Sequence, residues 1–313
     1  MQAVLRAEKV HTSWSSSHEP QISVSSNDTL EVWTRDGFDG QMESVTDSEL
    51  SRSLTCLDFG RIAPLTGPVW LDGAHPGDTV AVHIEELEPA GPGWTVIWPE
   101  WSASEYVRPP GVGPSARIFR FEREQLVSGA VQLAGVTVPI RPMLGMIGTA
   151  PAVGEFATLP PRRFGGNMDV RLACVGATLL LPVFVEGALV SFGDAHAAQG
   201  DGEVCGTGIE CSMRALVRLE LLRNKAIPEP QIIFDDQEHV TAFGTDLDEA
   251  AKRAILLMHQ HLTNVRGLPP AEAFALLCYV YGEPRQERYR NMIESESLSD
   301  PVRNLIPAHR SGR

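Results

Sequence analysis

Basic residues are in short supply: 26 Lys plus Arg stand against 40 Asp plus Glu in 313 residues, a net charge of −14. Nucleic acid is excluded as a partner, since binding phosphate needs a basic surface, and an anionic membrane surface is disfavoured for the same reason. A small neutral or cationic ligand suits the balance better. Cysteine is sparse too. The five, at 56, 174, 205, 211 and 278, are odd in number and form no CxxC pair, so reduced core thiols are expected rather than a disulfide framework. Long apolar runs are lacking. The longest, around 172–192, is broken by Gly176, Pro182, Glu186 and Gly187, and cannot make the ~20-residue helix that crosses a bilayer. Met1 to Trp14 carries mixed charge without an apolar signal core, so a cytoplasmic protein is expected. No GxGxxG follows a strand into a helix, and neither GxxxxGK nor GxSxG occurs. Nucleotide-binding folds and a serine nucleophile on an elbow are not indicated.

What the chain does have is period-two alternation. Thr29 to Arg35 and Thr79 to Leu87 alternate apolar and polar, as half-buried strands do. Short strands are expected near Thr66–Leu71, Ala116–Phe121, Val131–Leu133 and Val136–Arg141, and again at Ile232–Phe234 and His239–Phe243; Ile209–Leu222 reads either as a long strand or as a helix, and its strand-like flanks favour strand. Residues 43–60 show no period and read as a mobile or ligand-facing segment. The Pro- and Gly-rich stretch 89–113, with Trp94, Trp98 and Trp101, reads as a rigid aromatic loop packed on the core, with a pocket wall as the alternative, and Gly145 to Pro151 as a glycine-rich turn. A helical period arrives late. Thr245 can cap a helix whose apolar face runs through Leu247, Ala251, Ala254, Ile255, Met258, Leu262 and Val265. Pro269-Pro270 then opens a second helix to about Val280. The expectation is one compact, mainly β (α+β) unit over 1–313. It has sandwich- or barrel-like sheets over 12–245, two helices within 246–281 packed against them, and a charged tail over 282–313 that no pattern places.

The chemistry concentrates after the apolar run that ends at Phe192. Gly193-Asp194-Ala195-His196-Ala197-Ala198-Gln199-Gly200-Asp201-Gly202-Glu203 packs Asp, His, Gln, Asp and Glu into one short segment. Asp194 and His196 are two apart, so in an extended chain both side chains face one site. A carboxylate and an imidazole suit a divalent metal, zinc foremost, with water in an open position that the metal acidifies toward pH ~7. Calcium is the alternative as a structural ion. Glu203 is placed to return as general base and then general acid. Asn167 and Asp169, in Gly165-Gly166-Asn167-Met168-Asp169, approach from the other end of the run, to hold a small substrate or to add a ligand. Asp201, inside a Gly-Asp-Gly turn, reads as structural. Cys205 is the competing nucleophile, but no Lys or His lies near it in sequence to lower its pKa.

These same stretches resemble the acetamidase/formamidase family: Gly165 to Asp169, Leu181 to Leu189, and Gly193 to Glu203. Thr66-Gly67-Pro68, Gly73 to Asp78, Gly145 to Pro151 and the Asp246–Ala251 helix start match in the same order. The resemblance covers roughly residues 12–280. It implies hydrolysis of a short amide to a carboxylate and ammonia, on a fold of sandwich and barrel pieces in a homodimer or larger homo-oligomer. By position it maps the family's acidic loop to Asp194, His196 and Glu203, its GGN-D motif to Asn167 and Asp169, and its first acidic loop to Asp36. In the resulting expectation Asp36, Asp194 and His196 bind metal, Glu203 and Asn167 catalyse, and Asp169 and Gln41 bind substrate. Two alternatives use the same residues: a non-enzymatic, metal-stabilised β-sandwich that binds a small polar ligand, and a hydrolase of amidine- or urea-like C–N bonds. Residues 43–60 and the Trp-rich 94–101 loop depart from the plain acetamide pattern, so a larger or cationic amide also fits.

Overall fold

Two long antiparallel strands, Thr79–Ile97 and Ile209–Leu222, form the spine of the molecule. The computed structural model describes residues 2–97, 111, 115–280 and 306–309. In the second strand Cys211, Met213, Ala215, Val217 and Leu219 are fully buried, while Arg214 and Arg218 between them pair with Glu31, Glu86 and Glu85 on the outer face. Period two therefore decides both the strand and its facing. Register shifts between Cys211 and Met213, and between Leu216 and Val217, mark bulges that bend the pair.

Strand Thr29–Thr34 pairs with the middle of Ile209–Leu222. At the other end, Ile209 and Glu210 pair with Val190–Ala198, which also pairs with Met143–Gly148 and Leu65–Leu71. Gly165–Asn167 completes this side by pairing with Met143–Gly148. The apolar run thus ends in the middle strand of a group, with a neighbour on each edge. The mainly β fold is as expected, and the Leu247–Asn264 and Pro270–Val280 helices follow the sheets. Ala254, Leu257, Met258 and Leu262 pack on Val240 and Ala242. The helix cap is Asp246, whose side chain accepts from the Glu249 N–H; Thr245 bonds the Glu249 carboxylate instead. Val265 lies 67% exposed, outside the packed face.

Three local expectations are corrected. Residues 43–60 are not irregular, although most of their polar side chains are exposed. A short helix, Asp47–Arg52, is closed by a Thr46/Glu49 capping box, and Met42, Val45, Leu50 and Leu57 pack against Trp94 and Val96. A helix of six residues is too short to show a period. The aromatic loop is, as far as Ile97, the continuation of a strand that holds Trp94; Trp98 and Trp101 lie outside the described residues, as does the 282–313 tail apart from strand Ile306–His309. Gly145 and Gly148 sit in a fully buried strand rather than a turn. A side chain on Gly148 would meet the Phe164 carbonyl at 2.8 Å and the Gly166 nitrogen at 2.9 Å, so the glycine serves close strand approach.

His239, on strand Gln237–Val240, is 5% exposed, and neither ring nitrogen has a hydrogen-bond partner among the described residues. Burial lowers its pKa to about 4. The unfolded chain, with an ordinary imidazole near 6.5, then binds more protons than the folded one between those values. Stability from this residue is present above pH ~6.5 and drains away as pH falls toward 4, by about 3 kcal/mol. A His239→Leu variant should therefore show a flatter dependence of Tm on pH between 7 and 4 than the parent. Equal slopes would assign the acid sensitivity elsewhere.

Candidate metal and active site

Val190–Ala198 is buried along its length except at Ala198, and it carries both Asp194 and His196 inward. Register sets what surrounds the imidazole. His196 stands opposite Glu210 on one neighbouring strand and opposite Met143 on the other. The His196 Nε2 atom lies 3.0 Å from Glu210 Oε1, 3.7 Å from Asp194 Oδ1 and 4.0 Å from Asp169 Oδ1. On the far side of the ring, Nδ1 is 2.7 Å from Gln199 Oε1 and 3.7 Å from Glu203 Oε1. Two overlapping groups have ligand atoms that all lie within 4.8 Å of one another: Asp194, His196 and Glu210, and Asp169, His196 and Glu203.

Asp169, Asp194 and Glu203 all have φ between 41° and 47°, the left-handed region that side-chain-bearing residues seldom occupy. Holding three acidic residues there costs free energy, and such conformations cluster where a site needs them. The carboxylates also perturb one another. Burial alone would lower the His196 pKa, but the charges of Glu210 and Asp194 outweigh it and push the imidazole well above its ordinary value. Burial pushes Glu210 upward, with Asp194 and Glu203 adding to the rise. Four carboxylates around one imidazole are the arrangement expected of a cation site.

Of the residues singled out from sequence, Asp194, His196, Glu203 and Asp169 come together here. Asn167, 9% exposed at the end of Gly165–Asn167, leads into Asp169, and its Oδ1 has no hydrogen-bond partner among the described residues. The expected metal ligand Asp36 is placed differently. Its carboxylate accepts from the Phe38 and Gly40 N–H groups at 3.0 and 2.8 Å and from the Trp94 indole, and it belongs to neither ligand group. Burial raises its pKa although those hydrogen bonds oppose the rise. What the loop brings to the site is Gly37: a side chain there would lie 2.4 Å from Asp194 Oδ1 and 2.9 Å from Glu210 Oε2. Gln41, expected at the substrate, is held by the backbone of Asp58, donating to its carbonyl and accepting from its N–H. Asp201 pairs with Arg171 at the surface. Burial, and the nearby Glu203 charge, push the Cys205 thiol up, away from a reactive thiolate.

Glu210 carries no role in the sequence reading. In the alternation of its strand it shares parity with Ser212 and Arg214, the solvent-facing set. Only at this end are both faces covered, so that Ile209, Glu210 and Cys211 are all buried. One signal was available: a hairpin centred on Glu203 pairs position 196 with position 210.

A sequence profile of the acetamidase/formamidase family matches residues 2–157 and 152–285. Among solved structures, a predicted acetamidase/formamidase from Thermoanaerobacter tengcongensis superposes with a TM-score of 0.80 at 30% identity, covering 90% of each chain. An acetamidase from Bacillus halodurans gives 0.79 at 29%, covering 89% of this chain and 90% of that one. A formamidase from Methylophilus methylotrophus is 23% identical in an alignment that covers 80% of this chain and 75% of that one.

Proposed function

Because the chain belongs to the acetamidase/formamidase family and is an amidase of linear C–N bonds, we propose that Asp194, His196 and Glu210 hold a divalent cation beside the scissile carboxamide of a small substrate such as acetamide or formamide. The observation that carries this reading is the set of carboxylates facing His196 Nε2, headed by Glu210 at 3.0 Å. The fit is good. Glu210 Oε2 is buried without a hydrogen-bond partner among the described residues, an arrangement that is costly unless something positive meets it. One imidazole nitrogen among carboxylate oxygens matches zinc, and disfavours calcium, which prefers oxygen throughout. Asp169 stands within reach as a further ligand.

When bound, the ion supplies Lewis acidity to the amide carbonyl and to water. The remaining work falls to the chain. Glu203 flanks the opposite edge of His196, and its side chain, like that of Asp194, is 13% exposed, so a carboxylate outside the proposed Asp194, His196 and Glu210 set lies where the centre opens to substrate. Its carboxylate takes a proton from the attacking water and returns it to the leaving nitrogen, so that amide and water become carboxylic acid and ammonia. Asn167, buried at the Gly165–Asn167 end, orients the amide. Burial of His196, Asp169 and Glu210 keeps bulk water out and strengthens each of these contacts. Zinc as the ion, a homodimeric or larger assembly and a cytoplasmic setting complete the proposal; among the described residues no helix is long and apolar enough to cross a membrane.

Glu203→Gln tests the assignment. Turnover of acetamide should fall roughly 10²-fold with KM nearly unchanged, because the base acts in the transition state and not in binding. A purely binding protein would show no turnover to lose. If instead Cys205→Ser abolished ammonia release while Glu203→Gln spared it, a thiol route would replace this one.

A further inference from the structure

Gln199 is three residues beyond His196 and joins two parts of the site. Its Nε2 donates to the Asp169 backbone carbonyl at 2.6 Å, and its Oε1 lies 2.7 Å from His196 Nδ1. The carbonyl is an acceptor only, so the amide cannot turn over without setting two oxygens against each other. With the amide held that way, Oε1 is the atom that faces the ring, and Nδ1 has to be the nitrogen that carries the hydrogen. The ring is also walled by backbone. A side chain on Gly208 would lie 2.7 Å from Nδ1 and 2.9 Å from Cγ, so the imidazole has little room to tip.

We propose that Gln199 is a positioning residue: clamped by the Asp169 carbonyl, it holds His196 as an Nδ1–H donor and presents Nε2 to Asp194, Glu210 and Asp169. The clamp does more than select a tautomer. It ties the end of the Val190–Ala198 strand to the segment that delivers Asp169, so the imidazole and that carboxylate keep one spacing. Outer partners of this kind typically tune metal affinity by 10–100-fold. The consequence for zinc rests on the cation reading above; the hydrogen bond itself does not.

Two variants and two measurements test it. Gln199→Leu removes both hydrogen bonds. Gln199→Glu keeps an acceptor toward Nδ1 and loses the donor to Asp169. In ¹⁵N-labelled, metal-free protein the His196 Nδ1–H should give a slowly exchanging resonance in wild type and in Gln199→Glu, and should exchange rapidly in Gln199→Leu. Calorimetric titration with zinc should show affinity reduced about 10–100-fold in Gln199→Leu, with a smaller loss in Gln199→Glu. A protected Nδ1–H together with wild-type zinc affinity in Gln199→Leu would overturn the assignment. If wild-type protein bound no zinc, the cation reading would fall, while the exchange measurement would still decide the role of Gln199.

Discussion

Replacing Glu210 by glutamine should lower kcat/KM for acetamide at least ~10³-fold, about 4 kcal/mol of lost transition-state stabilisation. The substitution is close to isosteric, so it leaves the packing of Ile209, Glu210 and Cys211 in place and removes the charge that stands 3.0 Å from His196 Nε2. Wild-type protein stripped with a chelator should fall to the same floor and recover on adding zinc, whereas the variant should not recover. The loss should not come from unfolding. In the metal-free state neutralising Glu210 relieves its repulsion from Asp194 and Glu203 but forfeits its attraction to His196, so the two changes oppose each other. Metal-free Glu210→Gln should therefore melt close to metal-free wild type. Full activity in the variant would remove Glu210 from the ligand set; a collapse of Tm would reassign it to architecture.

The second large effect belongs to a residue without a side chain. Gly37→Ala should cost about 10²–10³-fold in activity, since its new methyl carbon would lie 2.4 Å from Asp194 Oδ1 and 2.9 Å from Glu210 Oε2. The two carboxylates proposed as ligands then have to move, and both face the same buried imidazole. Gly40 provides the contrast. It sits at φ 75° with nothing within 4 Å of an added carbon. Gly40→Ala should lower stability by about 1 kcal/mol through backbone strain and leave kcat/KM alone. The pair separates site geometry from loop stability: activity and zinc affinity fall in one variant, Tm in the other. Equal behaviour in both would mean that the loop acts only as a lid of the core.

Much of the site was readable because its residues are neighbours in sequence. Asp194, His196 and Glu203 fall within one short segment, and an i, i+2 spacing directs attention to the first two, although Asp194 departs from plain strand geometry at φ 47°. Asp169 was readable as the end of a glycine-marked approach, though not its distance from the ring. Asp36 shows where such reading stops. An acidic residue in a glycine-spaced loop looks the same whether its carboxylate faces a metal or caps its own turn; here its two oxygens accept from the Phe38 and Gly40 N–H groups. Gln41 is the same case, satisfied by the Asp58 backbone.

The sequence by itself determined the β-rich class, the two late helices, the acidic character and the segment from Gly193 to Glu203. Each is a local property: a period, a cap, a composition, a spacing. Tertiary structure alone decided that Glu210 stands against His196, that the Asp36 carboxylate accepts from its own loop's N–H groups, and that Gly37 lies against Asp194 and Glu210. The reason lies in pairing. Register between Val190–Ala198 and Ile209–Leu222 sets His196 opposite Glu210, and that register depends on how the whole hairpin closes around Glu203. A carboxylate with solvent-facing parity is buried beside His196 only because the sheet is covered on both faces at that end, which no window of sequence contains.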